Sequence, residues 1–165
     1  MASALLQLQN MLPDLHLLVN TAKCELYAQA GTVLPDSLIC CPLISDEVNW
    51  SFLGAPLTEK STACLDIALE RFRSVTARIG LFASGHPMEA LALIRSCTGA
   101  CRVQHLLQAG LPPSHQLSFV TQCSNSLLNA VNAVVGATLN PHQWDIARTP
   151  IKLGGLGVHD PYHCV

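Results

Sequence analysis

Charge is scarce in this sequence. Only 12% of its 165 residues are Asp, Glu, Lys or Arg, about half the roughly 25% of an ordinary domain. A surface so poor in charge leaves apolar faces that more protein is expected to cover, which fits a piece of a larger polypeptide. The formal net charge is −2 and the isoelectric point 6.3. Self-sufficient nucleic-acid binders have values above about 9, so strong independent binding is not expected, although a local basic stripe survives such an average. Long apolar runs are absent too. Stretches such as residues 90–94 fall far short of the roughly 18 residues that span a bilayer. The N-terminal stretch lacks a basic leading region and carries Asp14, which argues against a signal peptide. An intracellular setting, cytoplasmic or nuclear, is expected. The eight cysteines include no Cys-x-x-Cys pair and are expected as reduced thiols, not a disulfide framework. No Asp-Asp pair, no Gly-x-Ser-x-Gly elbow and no phosphate loop with its lysine occur. Those absences remove the usual signatures of two-metal chemistry, of serine hydrolases and of P-loop enzymes.

What is present is apolar material. Hydrophobic residues make up 50% of the chain, enough for the core of one ordinary domain or of two small subdomains. Leu5, Leu8, Leu12 and Leu15 recur at helical spacing until the Pro13-Asp14 step. Over residues 22–28, Cys24, Leu26 and Ala28 alternate with Lys23, Glu25 and Tyr27, the pattern of a half-buried strand. Residues 31–46 hold Gly31, Pro35 and Pro42 and predict an irregular connection. Residues 48–53 predict a second strand, ended by Gly54 and Pro56.

Past Leu57 the pattern turns helical. Thr58 is placed to cap a long helix with Cys64, Ile67, Ala68, Phe72, Val75, Ile79 and Phe82 on its inner stripe. Gly85-His86-Pro87 ends it and opens a second, carrying Leu91, Ile94, Cys97, Cys101 and Leu107 as far as Gly110. A third starts at Pro112-Pro113, buries Leu117, Val120, Leu127, Val131 and Val134, and stops at Gly136. A short fourth covers residues 141–147. The chain is therefore expected to be α+β and mostly α, a helix and two strands over 1–57 and an antiparallel bundle of three to four helices over 58–165. Arg71 with Arg78, and Arg95 with Arg102, repeat at seven-residue spacing, which places each pair on one helix face. Cys97, Cys101 and His105 also share a face, but eight residues cover about 12 Å of helix axis, too far for one zinc ion.

Three short segments carry a resemblance. They are Asn20-Thr21-Ala22-Lys23-Cys24-Glu25, then Phe52-Leu53-Gly54-Ala55-Pro56-Leu57, then a tail over residues 143–161. In the tail Trp144, Ala147, Pro150 and Gly154-Gly155-Leu156-Gly157 keep a W-x-x-A-x-x-P-x-x-x-G-G-L-G spacing. In this order they resemble the region downstream of the active site in reverse transcriptases (RNA-directed DNA polymerases) of non-LTR retrotransposons. The resemblance implies the end of a polymerase palm followed by a thumb-like helical region. It makes Lys23 the proton donor to departing pyrophosphate, a role that suits a cationic amine. It sets Phe52, Leu53 and Gly54 against a primer terminus, and Arg71, Arg78, Arg95 and Arg102 along an RNA–DNA duplex, where guanidinium suits phosphate.

Such enzymes use Mg2+ at paired aspartates, which this chain lacks, so no cofactor of its own and no DNA synthesis are expected. Met1 falls just before the last palm helix, as in a truncated or degenerate element. The strand over 22–28 is expected to present an exposed edge to missing palm and fingers, or to another protein. The glycine-rich tail is expected as a tight structural turn. A helical protein–protein interaction module with no nucleic-acid role is the competing expectation. It predicts that all four arginines are dispensable.

Overall fold

A computed structural model describes residues 7, 10–20, 23–39, 41–109 and 111–164. The chain is α+β and mostly α, and it separates into two compact units, Met1–Trp50 and Ser51–Val165. The separation falls a few residues before the change of periodicity at Leu57. No described helix is long and apolar enough to cross a membrane.

Among the described residues of the first unit several backbone groups are paired in short local turns. Leu12–Leu15 forms a 3₁₀ turn closed by His16 in a left-handed conformation (φ 55°). Leu5 and Leu8 of the predicted helix lie outside the described residues. Lys23 is exposed and its N–H donates to Asn20 O at 3.0 Å, within a turn and not a strand. The strand predicted over 22–28 contracts to β1, Leu26–Tyr27, and Ala22 lies outside the described residues. This strand pairs in parallel with β2, Leu43–Ile44, in the register Leu26↔Leu43 and Tyr27↔Ile44. Trp50 anchors the pair. Its indole N–H donates to Ile44 O at 3.0 Å, and its ring meets Tyr27 edge-on with centroids 6.3 Å apart.

The strand predicted over 48–53 is also shorter than its pattern. Asp46 accepts from Val48 N at 3.1 Å and holds Glu47–Asn49 as a 3₁₀ turn, because an Asp side chain offers the backbone a local alternative to the ladder. In the second unit, only β3 (Ser51–Phe52) extends, and it pairs antiparallel with β4 (Ala55–Pro56).

The helices of the second unit are α1 (Ala63–Ala83), α2 (Pro87–Cys97), α3 (Ala100–Gln108), α4 (Pro113–Val135) and α5 (Pro141–Arg148). Thr58 does not cap α1. Its hydroxyl pairs with Ser61 Oγ at 2.9 Å in a turn, and the helix begins beyond Thr62. The buried stripe of α1 is Leu65, Leu69, Phe72, Thr76, Ile79 and Ala83, at alternating spacings of four and three. Ile67 and Phe82, expected inside, are 53% and 42% exposed. Thr76 is polar yet buried because its hydroxyl donates back to Phe72 O at 3.0 Å.

Gly80 lets α4 come close: a side chain there would stand 3.6 Å from Ala133 Cβ. Further back, Arg73 Nη2 donates to Gln122 Oε1 at 2.7 Å. Both contacts advance in the same direction, so α1 and α4 run parallel. The returning leg between them is α2 with α3, and it is broken. Where the sequence predicts one helix to Gly110, itself outside the described residues, Thr98 leaves helical geometry and Gly99 sits at φ 74°, ψ −150°. That region is open almost only to glycine. His159 O takes the place of the missing helical partner and accepts from Ala100 N at 2.8 Å. The break also separates Arg95 from Arg102, which therefore do not share one helix face.

Ile94, Leu106, Val120, Leu127 and Val131 are almost wholly enclosed between these legs. Each is worth about 1.5–3 kcal/mol of transfer free energy. In α4 the inner face also takes Phe119, Cys123 and Ala130, while Leu117 is 61% exposed, contrary to its expected burial. Gly136 ends α4 at φ 73°, as expected of a left-handed C-cap.

A β-carbon at Gly99 would stand 2.0 Å from His159 O. Gly99→Ala is expected to cost about 2–3 kcal/mol, whereas Gly136→Ala, in open space, costs about 1 kcal/mol. Chemical denaturation midpoints of the two variants check this order.

Candidate nucleic-acid interface

The hairpin β3–β4 closes through Leu53 and Gly54, which take φ 52° and 81°. Two successive positive φ values belong to the two-residue turn whose twist matches the paired strands. Glycine takes that conformation freely. Leucine does not, and Leu53 costs about 1–2 kcal/mol there. The same residue is 84% exposed and Phe52 beside it is 65% exposed, so the turn stores strain while presenting apolar side chains to solvent.

Beneath this tip lies a cleft of about 420 Å³ walled by the turn, by α1 and by α3. The turn contributes Leu53 and Gly54, α1 contributes Ile67, Ala68 and Arg71, and α3 contributes Arg102, Val103 and His105. Among the described residues no carboxylate lines it. A β-carbon on Gly54 would stand 4.0 Å from His105 Nε2, an ordinary contact distance that places the turn beside the imidazole. Arg102 is tethered through Nε, which donates to Cys97 O at 3.1 Å and leaves its terminal nitrogens available. Cys64 also lines the wall, and burial pushes its thiol up from the ordinary range.

The other expected site residues lie apart from this cleft. Arg78 is exposed on α1, about 10 Å of helix axis beyond Arg71, and does not line it. Arg95 is half-buried and holds the tail: its Nε donates to Leu156 O at 2.6 Å. Lys23 belongs to the first unit. His105 was not expected here, and its spacing from Arg102 on α3 was the available signal. Among the described residues no group of three or more His, Cys, Asp or Glu is placed to hold a metal ion, and the Cys101 side chain lies outside them.

The tail is a structural knot. Trp144 and Ala147 are buried, and Asn140 and Gln143 form a reciprocal capping box at the start of α5. Gly157 N donates to Thr149 O at 2.9 Å and Val158 N to Ala147 O at 3.2 Å. A side chain at Gly155 would stand 2.0 Å from Thr149 O, so the close approach of two backbones requires glycine. Asp160, 3% exposed, accepts from Arg148 Nη1 at 2.9 Å, from Ser124 Oγ at 3.0 Å and from Tyr162 N at 3.1 Å. Arg148 also pairs with Asp145 and lies over the Trp144 ring, 5.4 Å from its centroid. Burial works to lower the Arg148 pKa, but the hydrogen bonds it donates to Asp160 and Asp145 raise it on balance, so the guanidinium stays charged.

Compared with protein-family models, curated proteins and solved structures, the chain matches none.

Asp160→Ala leaves a largely buried guanidinium short of its main partner and is expected to cost about 3 kcal/mol by urea denaturation. Burial holds the Cys123 thiol at about 12. At pH 8, about four units below that, its thiolate fraction is on the order of 10⁻⁴, and only the thiolate reacts. A thiol reagent is therefore expected to label exposed Cys97 quickly and Cys123 only on unfolding, with mass spectrometry of the digested protein as the readout.

Proposed function

We propose that this chain is the post-catalytic part of a reverse-transcriptase-like protein of the non-LTR retrotransposon kind. On this reading the first segments derive from the end of a palm, and the helical bundle is thumb-like. Its remaining capacity is to hold an RNA–DNA or primer–template duplex, weakly and through phosphate. One observation carries the reading: the Leu53–Gly54 turn shares a cleft with Arg71 and Arg102, and no acidic side chain intrudes. The strained, exposed Leu53 adds support, because backbone strain collects where a ligand is met.

Lys23 keeps the proton-donor position of the resemblance. It has no Asp-Asp pair in this chain to work with, and the chain alone extends no primer. Nor do Arg78 and Arg95 share the cleft role of Arg71 and Arg102. Arg95 acts on the tail turn instead.

The second reading, a helical interaction module, draws on Leu81, Phe82 and Met88, which are 79%, 42% and 73% exposed around the α1–α2 turn. Fluorescence anisotropy with a labelled RNA–DNA hybrid separates the two. Two phosphate contacts predict affinity falling about tenfold between 50 and 200 mM salt. The double variant Arg71→Ala/Arg102→Ala is expected to remove most of that dependence, and Arg78→Ala to leave it in place. Absence of binding by a protein shown to be folded transfers the assignment to the interaction module.

A further inference from the structure

We infer that the cleft takes a phosphomonoester, as at the 5′-phosphorylated end of a single strand, and not the internal backbone of a duplex. The inference rests on the reading above only in that the cleft binds nucleic-acid phosphate, and it replaces the duplex backbone there with a strand end. The cleft is bounded by the Leu53–Gly54 turn, by α1 and by α3. Its volume of about 420 Å³ lies within the roughly 300–1,000 Å³ range of small-ligand pockets.

Charge points the same way. Arg71, Arg102 and His105 converge from two helices, and the lining includes no carboxylate. Among the described residues no ion pair ties Arg71 down. An internal phosphodiester carries a single negative charge. A terminal phosphate carries about −1.5 to −2 near pH 7 and a further acceptor oxygen, so it gains more from two guanidinium groups. Beside the cationic end, Leu53, Ile67, Ala68 and Val103 offer an apolar wall of the kind a base or ribose covers. A free nucleoside monophosphate presents the same chemistry as a strand end.

The test compares a labelled single-stranded oligonucleotide bearing a 5′-phosphate with the same oligonucleotide bearing a 5′-hydroxyl, titrated with the full chain at 100 mM salt. AMP serves as competitor and the RNA–DNA hybrid as a parallel titration. The 5′-phosphate is expected to improve affinity by about tenfold. Arg71→Ala and Arg102→Ala each remove most of that preference, while Arg78→Ala keeps it. Competition by AMP at the oligonucleotide's own affinity identifies the free nucleotide as the source. Preference without such competition identifies the strand end. Equal binding of the two oligonucleotides, with the hybrid still bound, overturns the inference and leaves the duplex reading standing. Binding of AMP without the hybrid does the reverse. If the folded protein binds none of the probes, both fall. The comparison of the two oligonucleotides needs no variant, so a loss of folding in any arginine substitution does not decide it.

Discussion

The second unit depends on where the Asp160 carboxylate is held. Three donors from separate places, Arg148 on α5, Ser124 on α4 and the Tyr162 backbone, converge on it in a nearly solvent-free site. Fixing Asp160 fixes the residue before it, and His159 O is the acceptor that satisfies Ala100 N at the broken leg. That bond sets where α3 starts and thus where Arg102 and His105 emerge. A buried carboxylate near the end of the sequence so determines the shape of a cleft beside the hairpin. Burial of such a pair adds little net stability by itself, and its value lies in selecting one arrangement of the elements around it.

Much of the helical layout was legible in the sequence because it is written in apolar spacing and in Pro and Gly punctuation. The stops at Gly85-His86-Pro87 and Gly136, and the short helix opening at Pro141, follow from those signals. Legibility failed where tertiary contacts outvoted local pattern. The inner stripe of α1 runs through the polar Thr76 and the small Ala83. The bulkier Ile67 and Phe82 drew the expected stripe off its true face. The helix expected to run as far as Gly110 was given no interruption at Gly99. Only the approach of His159, sixty residues further along the chain, reveals it as a break. The two strands shrank for a different reason: Asp46 and the turn at Lys23 satisfy backbone groups locally that a longer ladder would have used.

The candidate site was legible in part. Leu53, Gly54, Arg71 and Arg102 were singled out separately, two from a turn motif and two from seven-residue spacing, and they line one cleft. Spacing alone assigned Arg78 and Arg95 the same standing, and it is here that it misleads. Seven residues on an intact helix guarantee a shared face, but not a shared cavity. On a helix that breaks at Gly99 even the shared face is lost. In a chain so short of charge, two guanidinium groups and an imidazole in one concavity without a carboxylate make a local field that the overall balance of −2 conceals.

The break at Gly99 also bears on the order in which the molecule assembles. The contact that stabilises it joins residues 99 and 100 to residue 159, one of the widest sequence separations among the backbone bonds of this unit. Contacts of that separation form late, because a long loop has to close before they repay its entropy. During synthesis α2 and α3 emerge well before the tail that defines their junction. Until then the bent arrangement lacks the bond from Ala100 N to His159 O. The cleft is thus among the last features of the fold to acquire its shape.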